Sequence, residues 1–586
     1  MSQPNQFIPH IPENAPFNED QRAWLNGFLA GIFSHQGAPV PAGQAADAAP
    51  AKKATILFGT QTGNAEMLAG QAAKKLKAAG VEAKAVDMDG FDGNTLTEEE
   101  NVVVITSTYG DGEPPDNAAE LHAFLMSDAA PKLEKTSFAV FGLGDTSYPG
   151  FNSCAKDFDG RLEKLGATRL LDSFYADVEF EDPFEEWVKS LGEALAAGAP
   201  PASDAAPAVE DSEPKFGKKN PFPAKILENY NLNGEDSSKE TRHVSISLDG
   251  SGLDYEAGDA LAIVPRNKDE LVDAFIEKLG FAADTSVKGV DGADKSLKEA
   301  MTTDYDIAKI TKVLAEGLIP NSAKGDDLKA LLADSKAFDD YCWGRDLLDL
   351  FSDYEITFAD AQAFLGSLKK IAHRLYSISS SPHAHPGEVH VTVGRVTYEK
   401  EGRTRYGVCS DYLACTPEGQ ELKVFMHANK NFRPPADLAS DAIMVGPGTG
   451  IAPFRAFVED RIAKEASGRN WLFFGDQKCA CDFLYSETLE TWCNEGKLHR
   501  LDTAFSRDQA EKVYVQNRMR ENGAELFAWL EGGASFFVCG DASRMAKDVD
   551  TALHDVIAEH GKMSAEDAAA YVKSLKSAKR YQRDVY

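Results

Sequence analysis

Between residues 52 and 195 the chain alternates short, mostly apolar runs with longer amphipathic ones. The runs ATILFGT, AKAVDMD, NVVVITST and SFAVFGLG have the length and composition of strands buried on both faces. Helical periodicity between them predicts helices over 65–79, 117–126 and 155–165, with 185–196 closing the unit. This rhythm predicts a doubly wound parallel sheet that binds its ligand at the carboxyl ends of the strands. From about 216 to 266, and again from 371 to 437, the pattern shifts to antiparallel strands such as HVSISLD, EVHVTVGRV and LKVFMHA. The stretch between them, 267–370, is rich in Leu, Ala, Asp and Lys and reads as helical, so a β-barrel with an inserted helical cap is expected. After 438 the βα rhythm returns in AIMVGPGTG, NWLFFGD, KLHRLDTAF and SFFVCGD. The expected class is α/β multidomain, and no internal repeat is visible.

Two Ala/Pro/Gly-rich stretches, about 39–51 and 196–214, cannot bury a core and read as linkers. The division that follows is an N-terminal arm, helix and linker (1–51), a first α/β domain (52–195), a flexible linker (196–215), a barrel with its insert (216–437) and a second α/β domain (438–586). The arm carries an amphipathic helix over 19–33 with Trp24, Phe28 and Phe33 on its apolar side.

A length of 586 residues with 43% hydrophobic and 26% charged residues suits several globular domains. No run approaches the roughly 20 apolar residues that cross a bilayer, and the N-terminus has neither the basic start nor the apolar core of a signal peptide. A cytoplasmic protein without a membrane anchor is expected. Eight irregularly spaced cysteines do not make a disulfide framework. Cys409 and Cys415 lack a matching second pair, so neither an iron–sulfur cluster nor another metal is expected. The formal charge of −32 disfavours nucleic-acid binding and is compatible with an acidic face for a basic protein partner.

Candidate chemistry gathers at strand ends. Gly59-Thr60-Gln61-Thr62-Gly63-Asn64 joins the first strand to the first helix, where small residues, hydroxyls and a helix N-terminus make a phosphate cradle. It lacks the Gly-Lys-Ser/Thr ending of a nucleoside-triphosphate loop, which favours a monophosphate such as FMN. Alone, it is equally compatible with an ordinary strand–helix turn. Two further loops, Ser107-Thr108-Tyr109-Gly110-Asp111-Gly112 and Leu143-Gly144-Asp145-Thr146-Ser147-Tyr148, bring Tyr109 and Tyr148 beside the cradle, where they can sandwich a flat ring. With these three loops, residues 52–195 resemble a flavodoxin domain, and the likeness also implies FMN contacts at Ala65 and Asn152.

Arg374-Leu375-Tyr376-Ser377-Ile378-Ser379-Ser380 is similar to the R-x-Y-S-x-x-S signature of ferredoxin-NADP reductase-like FAD domains. The resemblance implies that arginine meets the pyrophosphate, tyrosine lies on the flavin ring and serine sits near its N5. Gly407-Val408-Cys409-Ser410 resembles that family's second pyrophosphate loop, and Thr392, Val393, Gly394 and Tyr398 are implied neighbours of FAD. Gly446-Pro447-Gly448-Thr449-Gly450-Ile451 fails the generic G-x-G-x-x-G spacing but resembles the same family's nicotinamide loop. Ser506, Arg507, Lys512, Tyr514 and Gln516 are implied to hold the 2′-phosphate end of NADPH, with Asp548 nearby. Asp476 points the other way, since a carboxylate after the second strand favours a free ribose hydroxyl and hence NADH.

Cys539-Gly540-Asp541 ends another strand, and the chain closes on RYQRDVY. The family resemblance places the ring of Tyr586 over the flavin and gathers Ser377, Cys539 and Asp584 at the hydride-transfer point. A hydrolase triad is excluded by the missing histidine base.

The motifs, in this order from about 52 to 586, resemble those of diflavin reductases. The finer likeness, carried by STYGDGEPPDN, NWLFFG, SRDQAEKVYVQ and RYQRDVY, is to the flavoprotein subunits of assimilatory NADPH-sulfite reductases. That resemblance implies FAD, FMN and NADPH as cofactors, a siroheme and iron–sulfur haemoprotein subunit as partner, and homo-oligomerisation through the N-terminal region. It also implies that the linker at 196–214 lets the FMN domain swing between FAD and partner. Another one-electron acceptor, such as a monooxygenase haem protein, stays open, as does a non-catalytic scaffold that keeps the flavin fold.

Overall fold

The computed structural model describes residues 52–110, 112–146, 150–196 and 215–586. The N-terminal helix with Trp24, Phe28 and Phe33, both expected linkers (apart from their extreme ends) and Tyr148 lie outside the described residues.

The first sheet is built from β1 (Lys53–Gly59), β2 (Glu82–Asp87), β3 (Asn101–Ser107), β4 (Ser137–Leu143) and two short pieces, β5 (Thr168–Arg169) and β6 (Phe174–Ala176). Its order is β2-β1-β3-β4-β5, all parallel, with β6 also pairing β4. The period-2 geometry of β3 splits its apolar residues between two cores. Val103 and Ile105 face the helices Asn64–Ala78 and Glu181–Ala196, while Val102 and Val104 face Ala119–Met126 and Ser153–Lys164. Helix Asn64–Ala78 buries Ala65, Leu68, Ala69, Ala72, Ala73 and Leu76, a stripe at i, i+3, i+4 spacing that seats it on the sheet.

The barrel begins with β7 (Phe222–Asn231), β8 (Thr241–Ser247) and β9 (Ala260–Val264). The insert follows as a set of short helices between Asp269 and Ser367 around a core containing Phe275, Phe351 and Phe364. It also holds a small hairpin, β10 (Ser286–Lys288) with β11 (Asp294–Ser296), absent from the helical expectation because both pieces are three residues long and mostly polar. Then come β12 (Arg374–Ser377), β13 (Glu388–Gly394), β14 (Thr397–Lys400), β15 (Arg403–Tyr406) and β16 (Glu421–His427). The antiparallel order is β12-β9-β16-β7-β8-β13, and a bridge from Ile378 to Val391 brings the two ends together. Inward residues alternate as expected: Val244 and Ile246 on β8 meet Val389, Val391 and Val393 on β13 in one core.

The last sheet contains β17 (Ala442–Val445), β18 (Asn470–Asp476), β19 (Arg500–Phe505), β20 (Ser535–Gly540) and β21 (Tyr581–Val585), in the parallel order β19-β18-β17-β20-β21. The terminal β21 has no place in the hydrophobic pattern, because only its end residues, Tyr581 and Val585, are buried. Its pairing sets Asp584 directly opposite Cys539.

The first domain lies against the barrel and the last domain along an ionic seam. Lys547 pairs with Glu113 at 2.9 Å and Lys573 with Glu120 at 2.7 Å. Arg583 pairs with Asp116, and Lys369 with Asp177. Tyr109 packs against the core of the last sheet.

Candidate active site

The expected phosphate cradle follows β1. Gly63 takes φ = +91° as the cap of helix Asn64–Ala78, a left-handed conformation that glycine adopts without strain. Thr60 Oγ1 accepts from the Gly63 N–H at 2.9 Å, and the Thr60 N–H donates to Asn117 Oδ1 at 2.8 Å. Gln61 and Asp116 exchange hydrogen bonds at 3.3–3.4 Å. Thr62 and Asn64 complete the loop, whereas Ala65 is fully buried and offers only its backbone. At the neighbouring strand ends Ser107 Oγ, Thr108 Oγ1, Tyr109 OH and Asn152 Oδ1 are buried without a partner. Such groups cost about 1–3 kcal/mol each unless something satisfies them, and the polar rim of a flavin ring and its ribityl hydroxyls would do so. Gly110 at φ = +54° and the Tyr109–Glu113 backbone bridge make the turn tight, and burial pushes the Tyr109 phenol up to about 12, so its ring stays neutral. Gly142 and Gly144 leave the space that the Asn152 side chain occupies, and Leu143 between them is buried. Asp145 and Thr146 follow, with Thr146 bonded to Asp177.

Beside the barrel lies a cleft of about 1610 Å³, whose lining includes Arg374, Tyr398, Gly407, Val408 and Asp411, large enough for an extended dinucleotide. Val408, Cys409 and Ser410 form the first turn of helix Val408–Cys415, with Gly407 as its cap; such a turn presents backbone N–H groups to an anion. Arg374 reaches the cleft while donating to the Ala372 carbonyl at 2.8 Å. Leu375 is 43% exposed, and Tyr376 packs on the barrel core. Burial holds the Cys409 thiol up at about 12. The Thr392 hydroxyl pairs with Tyr485 at 2.7 Å and Val393 points into the barrel core, so both offer only backbone to a cofactor. Gly394 lies against Thr449, where a Cβ would stand 3.4 Å from its methyl.

The loop expected to bind nicotinamide turns at Gly448 (φ = +57°) into the 3-10 turn Gly448–Ile451. A Cβ on Gly450 would collide with the Cys539 carbonyl oxygen. Gly450→Ala is therefore expected to cost about 1–3 kcal/mol and to raise the KM for NADPH at least tenfold with flavin content unchanged; thermal melts and steady-state kinetics check both. Ser506, Arg507, Lys512 and Tyr514 line the loop beyond β19, and among the described residues neither cation has an ion-pair partner. Gln516 donates to Asp548 at 3.1 Å.

Three separate elements converge on Asp584. Ser377 at the end of β12 donates to its Oδ2 at 2.9 Å, and Cys539 Sγ on β20 lies 4.0 Å from the same oxygen. Asn429, after β16, donates to Oδ1 at 3.4 Å; a lone asparagine in a loop carried no sequence signal. Burial raises the carboxyl of Asp584 and the thiol of Cys539, and the Ser377 hydrogen bond partly offsets the former. Tyr586 is 63% exposed and its hydroxyl meets Thr449 Oγ1 at 3.0 Å, which sets the terminal ring beside the nicotinamide loop. Asp476, by contrast, is held by Lys239, and its side chain is almost fully buried.

Comparison with known proteins supplies the family. Residues 56–187 match the flavodoxin model, 214–412 the FAD binding domain, and 444–551 the oxidoreductase NAD-binding domain. The sulfite reductase (NADPH) flavoprotein alpha-component of Bacillus subtilis is 44% identical, over 99% of this chain and 97% of its own. The proteins of the same description from Aliivibrio fischeri and Klebsiella pneumoniae are each 42% identical, covering 97% and 100% of this chain and 95% and 99% of their own. With flavodoxin, FAD and nicotinamide modules in that order and near-complete coverage by these relatives, the chain belongs to the sulfite reductase (NADPH) flavoprotein alpha-component family of diflavin reductases.

Proposed function

We propose that this NADPH-dependent flavoprotein delivers its electrons to a siroheme and iron–sulfur haemoprotein, which reduces sulfite to sulfide. The observation that carries the reading is the convergence of Ser377, Cys539 and Asp584, with Asp116 of the FMN cradle paired to Arg583, the residue before Asp584. The bound flavins supply the redox chemistry, accepting electrons in pairs from NADPH and releasing them singly. The chain's own residues bind and orient. Gly448–Gly450 admit the pyrophosphate, Ser506, Arg507 and Lys512 face the 2′-phosphate, and Ser377 positions the Asp584 carboxylate toward the ring that becomes positive as the hydride leaves. Tyr586, bonded to Thr449, would cover the face of a bound flavin. The glycine-flanked loops at Tyr109 and Asp145 would hold FMN beside the seam with the reductase part.

The domain division at 51/52, 195/196, 215/216 and 437/438 belongs to the same reading, as does assembly through residues 1–51. A cytoplasmic location is supported by eight free cysteines, and no helix among the described residues is long and apolar enough to cross a membrane. The test is flavin content followed by NADPH titration of the purified chain with and without the haemoprotein. One FAD and one FMN per chain, with sulfide formed only when both proteins are present, is the expected result. Full flavin reduction without sulfide would move the partner assignment to another one-electron acceptor.

A further inference from the structure

Asp476 ends β18, where in dinucleotide-binding sheets a carboxylate bonds the free 2′-hydroxyl of the adenosine ribose and repels a 2′-phosphate. In this chain the same strand end borders the segment suited to that phosphate. β18 and β19 run parallel with Asp476 opposite Phe505. The Ser506 N–H donates to the Asp476 carbonyl at 2.9 Å, its hydroxyl lies 3.3 Å from the same oxygen, and the Arg507 N–H donates to the Gln477 carbonyl at 2.7 Å. The Asp476 carboxylate also borders the pyrophosphate loop, its Oδ2 lying 3.9 Å from the place of a Cβ on Gly448. Charged and unpaired, it would oppose a second phosphate at close range.

It is paired, and the partner comes from another domain. Lys239, in the loop between β7 and β8 of the FAD barrel, places its ammonium 2.5 Å from Asp476 Oδ1, which also accepts from the Gln477 N–H at 2.7 Å. The Asp476 side chain is 1% exposed and that of Lys239 37%, so the cationic end of the pair faces outward. The lysine's loop is fastened to the nicotinamide domain. The Gly234 N–H donates to the Cys481 carbonyl at 2.8 Å, Asn233 Nδ2 donates to Asp482 at 3.0 Å, and Ser237 bonds the same carboxylate.

We propose that Lys239 is a specificity-determining residue: by pairing with Asp476 it cancels the carboxylate that would select NADH, and so lets the site accept the 2′-phosphate of NADPH. The inference rests on the NADPH-dependent reading of this site. It adds that coenzyme choice is shared between domains, the nicotinamide domain carrying an NADH-type carboxylate and the FAD barrel supplying the charge that overrides it.

The test uses the flavin-loaded full chain and two probes that differ only in the 2′-phosphate, 2′,5′-ADP and 5′-AMP, with binding measured by calorimetry. Lys239→Met is expected to weaken 2′,5′-ADP about tenfold and 5′-AMP less than about twofold. Adding Asp476→Asn to that variant should restore the affinity ratio to within about twofold of the parent, and the ratio of kcat/KM for NADPH over NADH should follow the same course. Equal weakening of both probes would reduce Lys239 to a structural role and overturn the proposal. So would an unchanged ratio, or a double variant as weak as Lys239→Met alone, which would mean that lysine contacts the phosphate itself. If the parent chain fails to prefer 2′,5′-ADP, the NADPH reading falls first and the proposal with it.

Discussion

Asp584→Asn is expected to slow reduction of the bound FAD by NADPH about a hundredfold, the scale on which one preorganised charge at a reacting centre acts. The substitution keeps shape and its amide oxygen can still accept from Ser377, whereas the NH2 that replaces Oδ1 can only donate, so Asn429 must turn its own unpartnered Oδ1 toward it. Stopped-flow bleaching of the flavin at saturating NADPH measures the effect, and coenzyme affinity should change little. The direction of the pKa shift adds a second signature. Burial raises the Asp584 carboxyl above its ordinary value, so the parent enzyme should lose rate as pH falls through that raised value, and the variant should not. Stability moves the opposite way. A carboxyl raised in the fold keeps its proton to a higher pH than it does in the unfolded chain, so the unfolded state sheds protons first and stability falls as pH rises through the folded value. Removing the charge relieves that cost, and the variant should melt no lower than the parent at neutral pH. Slower chemistry in an equally or more stable protein is the mark of a group strained for function. Slower chemistry with a lower Tm would instead make Asp584 a structural residue.

How far the sequence could be read depended on whether a feature is local. The strands β1, β3 and β4 were plain because burial on both faces demands nearly unbroken apolar runs, and Val102 through Ile105 meet that demand at every position. The loops at Gly59–Asn64 and Gly446–Gly450 were legible because small residues are obligatory where a backbone must come close to a phosphate or to another strand. β21 was not, since an edge strand buried only at Tyr581 and Val585 has no amphipathic period to detect. Nor was Asn429, whose partner Asp584 is 155 residues away. The same holds for the pairing of Lys239 with Asp476 across 237 residues: the carboxylate alone argued for NADH, and only its neighbour in space changes the argument. Ion pairs between domains leave no mark in hydrophobic patterning, because each member reads alone as an ordinary surface charge.

Such a pair leads to the second large effect. Asp116→Lys is expected to slow electron passage from FAD to FMN at least tenfold while leaving FAD reduction by NADPH unchanged. Asp116 lies just beyond the Tyr109 loop and pairs with Arg583, whose side chain is 13% exposed against 33% for the aspartate. Losing one member of a buried pair costs about 3–5 kcal/mol. The partial exposure of Asp116 discounts this to about 2 kcal/mol, or roughly thirtyfold in the docking equilibrium, before the repulsion of two facing cations is added. Arg583 also precedes Asp584 on β21, so the strand that holds Asp116 is the strand that carries the Asp584 carboxylate. Among the other seam contacts Lys369 with Asp177 is partly exposed, and Lys547 with Glu113 and Lys573 with Glu120 are more exposed still and add less. They share one polarity, with cations on the reductase part and acids on the FMN domain, so a basic partner would compete for the acids that hold the FMN domain in place. Double-mixing stopped-flow at the two flavin wavelengths separates the steps, and the charge swap Asp116→Lys with Arg583→Asp should recover part of the rate. If FMN reduction in Asp116→Lys matches the parent, the seam contributes nothing to transfer. If FAD reduction slows equally, Asp116 acts through Asp584 and not through docking.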